Sequence, residues 1–128
     1  MDILFIVGRV LFGGFFVISG WSHFNNLKSM VGYAQYKKIP MAKLAVIFTG
    51  LLLLFGGLGV VFGVLVPYAL LALAIFLVPT TLLMHKFWEV TDPTQKMTET
   101  IQFKKNLALL GAVLMLFTLA TPWMMSLF

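Results

Sequence analysis

Apolar residues form long runs along the chain, and polar residues are concentrated in two segments between those runs. The longest run covers residues 44–84 and contains no charged residue. As one helix it would extend about 60 Å, roughly twice the hydrocarbon thickness of a bilayer, so it predicts two spans that fold back on each other. Gly63 and Pro67 mark the turn, because glycine loosens the end of one helix and proline suits the first turn of the next.

Two further apolar runs bring the number of predicted membrane-spanning helices to four. The pattern predicts an all-α fold, an integral membrane four-helix bundle that forms a single transmembrane domain over residues 1–128. The predicted spans cover residues 3–21, 44–62, 66–84 and 106–123.

The two polar segments also carry helical signals. In residues 26–40, apolar side chains recur at helical spacing between a capping Asn26 and a terminating Pro40. In the stretch "TDPTQKMTETIQF", Asp92 is suited to cap a helix and Pro93 to occupy its first position. Both segments therefore predict short interfacial helices, and the second is expected to run directly into the fourth span.

The composition supports a membrane protein and excludes several other classes. Of the 128 residues, 61% are hydrophobic and only 10% are charged, with a mean hydropathy of +1.03, whereas soluble domains contain about 25% charged residues. The chain has no cysteine, which excludes iron–sulfur clusters, thiolate zinc sites and persulfide chemistry on this chain. No phosphate-binding loop, serine triad or HExxH motif supports a hydrolase.

The positive charge is distributed as the topology of a membrane protein requires. The formal net charge is +5, and eight of the nine basic residues lie in the two polar segments, which indicates a membrane surface rather than a nucleic acid. By the positive-inside rule both segments are cytoplasmic, so both chain termini are predicted to be external and the protein to lie in the cell membrane. The eight residues are Lys28, Lys37, Lys38, Lys43, Lys86, Lys96, Lys104 and Lys105.

Arg9 is the one charged residue in the first span, and it shares a helical stripe with Gly13, Gly20 and His23. Because the glycines mark the side that other helices can approach closely, Arg9 is predicted to point into the bundle and to present its guanidinium to an anionic or quinone-like ligand. The alternative is a snorkelling anchor held by Asp2, the terminal carboxylate and lipid phosphate.

Two histidines are candidates for a shared ligand site. His23 and His85 are expected at similar depth near the cytoplasmic face, where such a pair can hydrogen-bond a quinone or ligate haem, quinone being the favoured ligand and no metal site being predicted. The alternative is two interfacial histidines that face headgroups or water. Trp88 can stack on a bound ring or belong to an aromatic belt, and Asn106 can bond across helices or cap the fourth span.

Gly59 and Gly63 form a G-x-x-x-G motif, which favours close approach of two helices. The two interpretations are a homodimer and packing within the bundle. Packing within the bundle is preferred, because a four-helix unit needs such contacts in any case.

Several stretches in the same order resemble the DoxX family of small four-helix membrane proteins, over nearly the whole chain. They are "GRVLFGGFFVISGWSHF", "GYAQYKKIPMAKLA", the glycine-rich second span, "HKFW" and "QFKKNLALLGAVLML". The resemblance implies an integral membrane protein, and some members are subunits of quinone-linked thiosulfate oxidoreductases or of other membrane oxidoreductase complexes. This chain departs from the family pattern at His23, where many members have lysine, and at Leu53, where many have glutamate.

Two functions from different classes remain open at this stage. The first is a membrane subunit of a quinone-linked redox system, with quinone near His23, His85 and Trp88 and with a soluble or membrane-bound oxidoreductase partner handling the substrate. The second is a non-catalytic membrane module that binds lipid, a partner protein or cargo. The resemblance favours the first, and the residues alone do not decide whether the chain is catalytic.

Overall fold

Five α-helices follow one another in the part of the chain that the computed structural model describes, which comprises residues 2–85, 87–119 and 123. They are α1 (Asp2–Asn25), α2 (Leu27–Tyr36), α3 (Ala42–Phe62), α4 (Val66–Met84) and α5 (Pro93–Phe117), with a single 3-10 turn at Phe87–Glu89. No strand occurs among these residues.

Four of the helices, α1, α3, α4 and α5, are long and apolar enough to cross a membrane. Large apolar side chains cover their outer faces, among them Leu11 and Ile18, both 70% exposed, and Phe48. Arg9, Glu99 and Asn106 are instead buried within the chain. An apolar exterior around buried polar groups suits lipid as the surrounding solvent, and the predicted all-α membrane bundle is confirmed.

The helices pack in a row in which α1 contacts α3, α3 contacts α4, and α4 contacts α5. Helix α2 packs on α3 and α1, with Ala34 buried against Ala42 and Val46. Within the described residues, α1 and α5 form no extensive contact with each other. The space between these two outer helices therefore stays open toward the end of the bundle that α2 covers.

Glycines bring α1 and α3 into backbone contact. A Cβ atom on Gly13 would lie 2.7 Å from the carbonyl oxygen of Gly57, and one on Gly57 would lie 2.7 Å from that of Gly13. Seven residues, or about two helical turns, further along α1, a Cβ on Gly20 would lie 2.9 Å from the carbonyl oxygen of Gly50. Because real Cβ atoms do not approach oxygen so closely, these positions accept no larger residue unless the helices separate.

The two residues of the G-x-x-x-G motif have different roles. Gly59 packs against Ala69 of α4, so its close contact lies within the chain. Gly63 ends α3 in the left-handed region, at a φ of 68°, where glycine is favoured over residues with a side chain. The role of Gly63 in helix packing stays a prediction, whereas the turn that it forms before Pro67, in the first turn of α4, is confirmed.

Helix α5 joins the second polar segment and the fourth apolar run into one helix. The Asp92 carboxylate accepts a hydrogen bond of 2.9 Å from the backbone N–H of Gln95, and Pro93 occupies the first turn. The expected continuity of the interfacial helix with the span is confirmed. The described helix ends at Phe117, and residues 120–122, within the predicted fourth span, lie outside the described residues.

Candidate functional site: a cavity between the outer helices

A cavity of about 510 Å³ lies at the end of the bundle that carries the lysine-bearing segments. All five helices contribute to its walls, which are mainly apolar. Its polar lining includes Ser19, His23, Tyr33, Thr80, His85 and Asn106. The structure thus brings His23 and His85, which are 62 positions apart in the sequence, to one cavity together with Asn106.

The orientation of the His23 ring is determined by α3. Its Nδ1 atom lies 2.9 Å from the carbonyl oxygen of Val46 and 3.2 Å from the hydroxyl oxygen of Thr49. The Thr49 hydroxyl donates its own hydrogen to the carbonyl of Ala45, at 2.7 Å. Because Val46 offers only an acceptor, the Nδ1 atom of His23 carries a hydrogen and donates it.

His85 lies directly after the end of α4 and approaches α5. Its side chain is 16% exposed, and its Nδ1 atom lies 3.6 Å from Oε2 of Glu99. That distance is longer than a good hydrogen bond, but it is close enough for the carboxylate to attract a hydrogen on Nδ1.

Glu99 is a functional candidate that sequence reasoning missed, because it lies in the second polar segment, which is expected to lie at the membrane surface. It is only 4% exposed, and its carboxylate accepts hydrogen bonds from the Tyr33 hydroxyl at 3.0 Å and from Nζ of Lys37 at 2.9 Å. A signal for its burial does exist in the sequence. Glu99, Asn106 and Val113 follow one another at intervals of seven, and they are the three buried residues of α5.

The pKa values of Tyr33 and Lys37, the two residues that contact Glu99, are shifted in directions that favour these contacts. Burial raises the pKa of the Tyr33 hydroxyl, and the hydrogen bond to Glu99 raises it further. Burial by itself lowers the pKa of Lys37, but the hydrogen bond to Glu99 together with the charges and hydrogen bonds of Tyr33 and Glu99 outweighs burial, and the pKa lies above its ordinary value. Tyr33 is therefore neutral and Lys37 charged around pH 7.

Asn106 adds a further polar group to the wall of the cavity. It is 5% exposed and lines the cavity. An amide carries both an N–H donor and a carbonyl acceptor. Asn106 thus offers both a donor and an acceptor to whatever occupies the cavity.

Arg9 points inward, as predicted, but it lies outside the cavity. It is 4% exposed, its Nε donates to the carbonyl of Val60 at 3.2 Å, and its Nη2 donates to that of Val61 at 3.0 Å. Its guanidinium also lies 5.6 Å from the ring of Phe5 and 5.8 Å from that of Trp123. Both carbonyls belong to the last turn of α3, so Arg9 caps the negative end of that helix.

Two further predictions concern the partners of Arg9 and the position of Trp88. The Asp2 side chain and the terminal carboxylate, proposed as partners of Arg9, lie outside the described residues. Trp88 is 52% exposed and packs edge-to-face on Phe87 and Phe103, at 5.3 and 5.7 Å, without lining the cavity. Of the five candidate ligand-binding residues, the cavity therefore unites His23, His85 and Asn106 only.

Comparison with known proteins places the chain in a family. A search of the curated proteins found no match, and neither did a search of the solved structures. The family model for DoxX matches residues 4–86, about two-thirds of the chain, including Arg9 and both histidines. With four membrane-spanning helices and this match, the chain is a member of the DoxX family.

Proposed function

We propose that this DoxX-family membrane protein is a subunit of a quinone-linked redox system, and that it binds the quinone ring in the cavity. The observation that carries the proposal is the joint placement of His23, His85 and Asn106 at one apolar cavity. A quinone is a flat apolar ring with oxygen atoms at its edge, and such ligands are held by apolar walls with a few polar groups.

The size and charge of the cavity support this ligand. A volume of about 510 Å³ lies within the range of about 300–1,000 Å³ that is usual for small-molecule sites. No carboxylate belongs to the described lining, whose titratable groups are two histidines, Tyr33 and Lys105. Quinone oxygens only accept hydrogen bonds, and a histidine ring N–H, the Asn106 amide and the N–H groups of Lys105 that Gln102 does not use can donate to them without adding a negative charge.

The redox partner has to supply chemistry that this chain lacks. The chain contains no cysteine, so persulfide formation or cluster binding takes place on another subunit. We infer that a soluble or membrane-bound oxidoreductase subunit docks at the lysine-bearing end, next to the cavity. The lipid bilayer surrounds the protein, and an apolar quinone can enter the cavity from it.

Quinone binding is expected to be saturable and to depend on the two histidines. We expect short-tailed ubiquinone to quench the tryptophan fluorescence of the protein in lipid nanodiscs at one molecule per chain. The double substitution His23→Ala and His85→Ala removes two of the three polar contacts, and it is expected to weaken binding at least about tenfold. Trp88→Phe is the matched control and should bind as the unaltered protein does, since Trp88 lies outside the cavity.

Two outcomes would contradict the proposal. One is linear partition of the quinone into the nanodisc without saturation, and the other is equal affinity in the double variant when its helix content is intact. Saturable binding of a phospholipid or fatty acid in place of quinone would instead support the non-catalytic module that binds lipid or cargo.

The proposed topology places the cavity and the partner on the cytoplasmic side. It requires both termini to be external, because the lysine-bearing segments on either side of α3–α4 face the cytoplasm. A periplasmic-type reporter such as alkaline phosphatase is expected to be active when fused after Phe128 and inactive when fused after Thr91. The reverse pattern would overturn the assignment of sides but would leave the four-helix bundle unchanged.

A further inference from the structure

We infer that Lys105 makes the cavity selective for quinones that carry an ionised ring hydroxyl over neutral quinones. The inference rests on the proposed quinone site and deepens it, by assigning a charge to the preferred ligand. An ionised hydroxyl is an oxygen that only accepts hydrogen bonds and bears a negative charge. Hydrogen bonds from an ammonium to such an oxygen are about twice as strong as those between neutral groups.

The first step concerns the position of the Lys105 ammonium. Lys105 belongs to α5 and lines the cavity, and its Nζ lies 5.3 Å from the centre of the Phe15 ring on α1, which lines the cavity as well. Nζ also donates to the side-chain oxygen of Gln102, three residues earlier on α5, at 2.6 Å. These two contacts hold the ammonium across the space between α1 and α5, so it lies beside the cavity.

The second step concerns the groups that Lys105 leaves for a ligand. An ammonium has three N–H donors, and Gln102 uses one of them. No carboxylate among the described residues forms an ion pair with Lys105, whereas Nζ of Lys37 lies 2.9 Å from a carboxylate oxygen of Glu99. Lys105 therefore offers two N–H groups and a positive charge at the cavity.

The third step concerns the rest of the described lining, which contains no aspartate or glutamate. Its walls are mainly apolar, so they screen the charge of Lys105 less than water would. Asn106, the next residue along α5, is 5% exposed and adds an amide N–H donor to the same lining. An anionic oxygen here meets donors and no opposing charge, whereas a neutral quinone oxygen gains less from the same donors.

Lys104, the neighbouring residue on α5, separates this role from that of an ordinary lysine at a membrane surface. Its side chain is exposed and does not line the cavity. Such a lysine contacts water and lipid headgroups. The two lysines carry the same charge within about 1.5 Å of each other along the helix axis, so a difference between their variants reports the cavity and not the surface.

The test compares a charged and a neutral ring of similar shape on the same protein. The charged compound is 2-hydroxy-1,4-naphthoquinone, which is ionised around pH 7, and the neutral compound is 2-methoxy-1,4-naphthoquinone. Both are titrated into the protein in phosphatidylcholine nanodiscs, and their dissociation constants are corrected for partition into protein-free nanodiscs. We expect the ionised compound to bind at least about tenfold more tightly. Lys105→Gln keeps N–H donors but removes the charge, so the ratio should approach one, whereas Lys105→Arg should retain the preference.

Lys104→Gln is the matched control, because it removes the same charge outside the cavity, and its ratio should equal that of the unaltered protein. Equal affinities of the unaltered protein for the two compounds, or an equal decrease of the ratio in Lys104→Gln and Lys105→Gln, would overturn the inference while leaving the quinone site in place. Loss of the preference in nanodiscs that contain phosphatidylglycerol would show that a lipid phosphate occupies Lys105, and it would also overturn the inference. Absence of saturable binding by either compound would overturn both the inference and the proposed function.

Discussion

Replacing Arg9 with methionine is expected to lower the free energy of unfolding by about 2–4 kcal/mol, although Arg9 does not contact the cavity. Methionine retains much of the apolar volume but donates no hydrogen bond. The carbonyls of Val60 and Val61, which now accept from the guanidinium at 3.2 and 3.0 Å, would lose those hydrogen bonds in a buried setting. The measurement is unfolding by denaturant in detergent micelles, followed by the loss of helix content.

Arg9→Lys distinguishes a helix cap from a membrane anchor. An ammonium group is a point donor and does not reproduce the planar fork that reaches two neighbouring carbonyls, so we expect a loss of about 1–2 kcal/mol. Lys96→Met, at an exposed position of α5, is the control for loss of one positive charge and should change stability by less than about 0.5 kcal/mol. Stability of Arg9→Lys equal to that of the unaltered protein would support the snorkelling anchor instead.

The second large effect is expected at Glu99. Glu99→Gln keeps the shape of the side chain but removes the charge that Lys37 faces at 2.9 Å. Since the Lys37 side chain is only 11% exposed, its ammonium would then be poorly compensated, and we expect a loss of about 2–4 kcal/mol. Glu89→Gln, on the exposed 3-10 turn, is the matched control, with an expected change below about 0.5 kcal/mol.

A double-mutant cycle isolates this ion pair from other effects. Lys37→Met combined with Glu99→Leu removes both charges, so the loss should be smaller than the sum of the two single losses by about 1–3 kcal/mol. Because α2 meets α5 through this pair and through Tyr33, proteolysis within residues 27–36 should be faster in Glu99→Gln alone. Additive losses, or unchanged proteolysis, would show that Glu99 does not hold α2 on the bundle.

The parts of the fold that sequence predicts well are those set by local chemistry. The uncharged run over residues 44–84 is about twice as long as one membrane span, so it predicts the hairpin of α3 and α4. The turn of this hairpin follows from the backbone freedom of Gly63 and the fixed φ of Pro67. The start of α5 follows equally from Asp92 and Pro93. Each of these signals involves residues within a few positions of one another, so no knowledge of tertiary packing is required.

The candidate site was only partly predictable, since it depends on contacts between distant segments. His23 and His85 were paired from their depths in the membrane, and the structure does bring them to one cavity. Glu99 was missed because a carboxylate among lysines normally indicates a solvated surface. Its burial depends on α2 folding over α5 so that Tyr33 and Lys37 reach it from more than 60 positions away.

The backbone contacts at Gly13–Gly57 and Gly20–Gly50 restrict how the bundle can open. Two helices whose main chains touch at two levels can neither slide nor rotate against each other without a steric clash. Helices α1 and α3 therefore behave as one rigid wall, and we expect any widening that admits a ligand to occur between α1 and α5, which share few contacts. A lateral portal there would open directly to the lipid, which is the route available to a molecule too apolar to cross water.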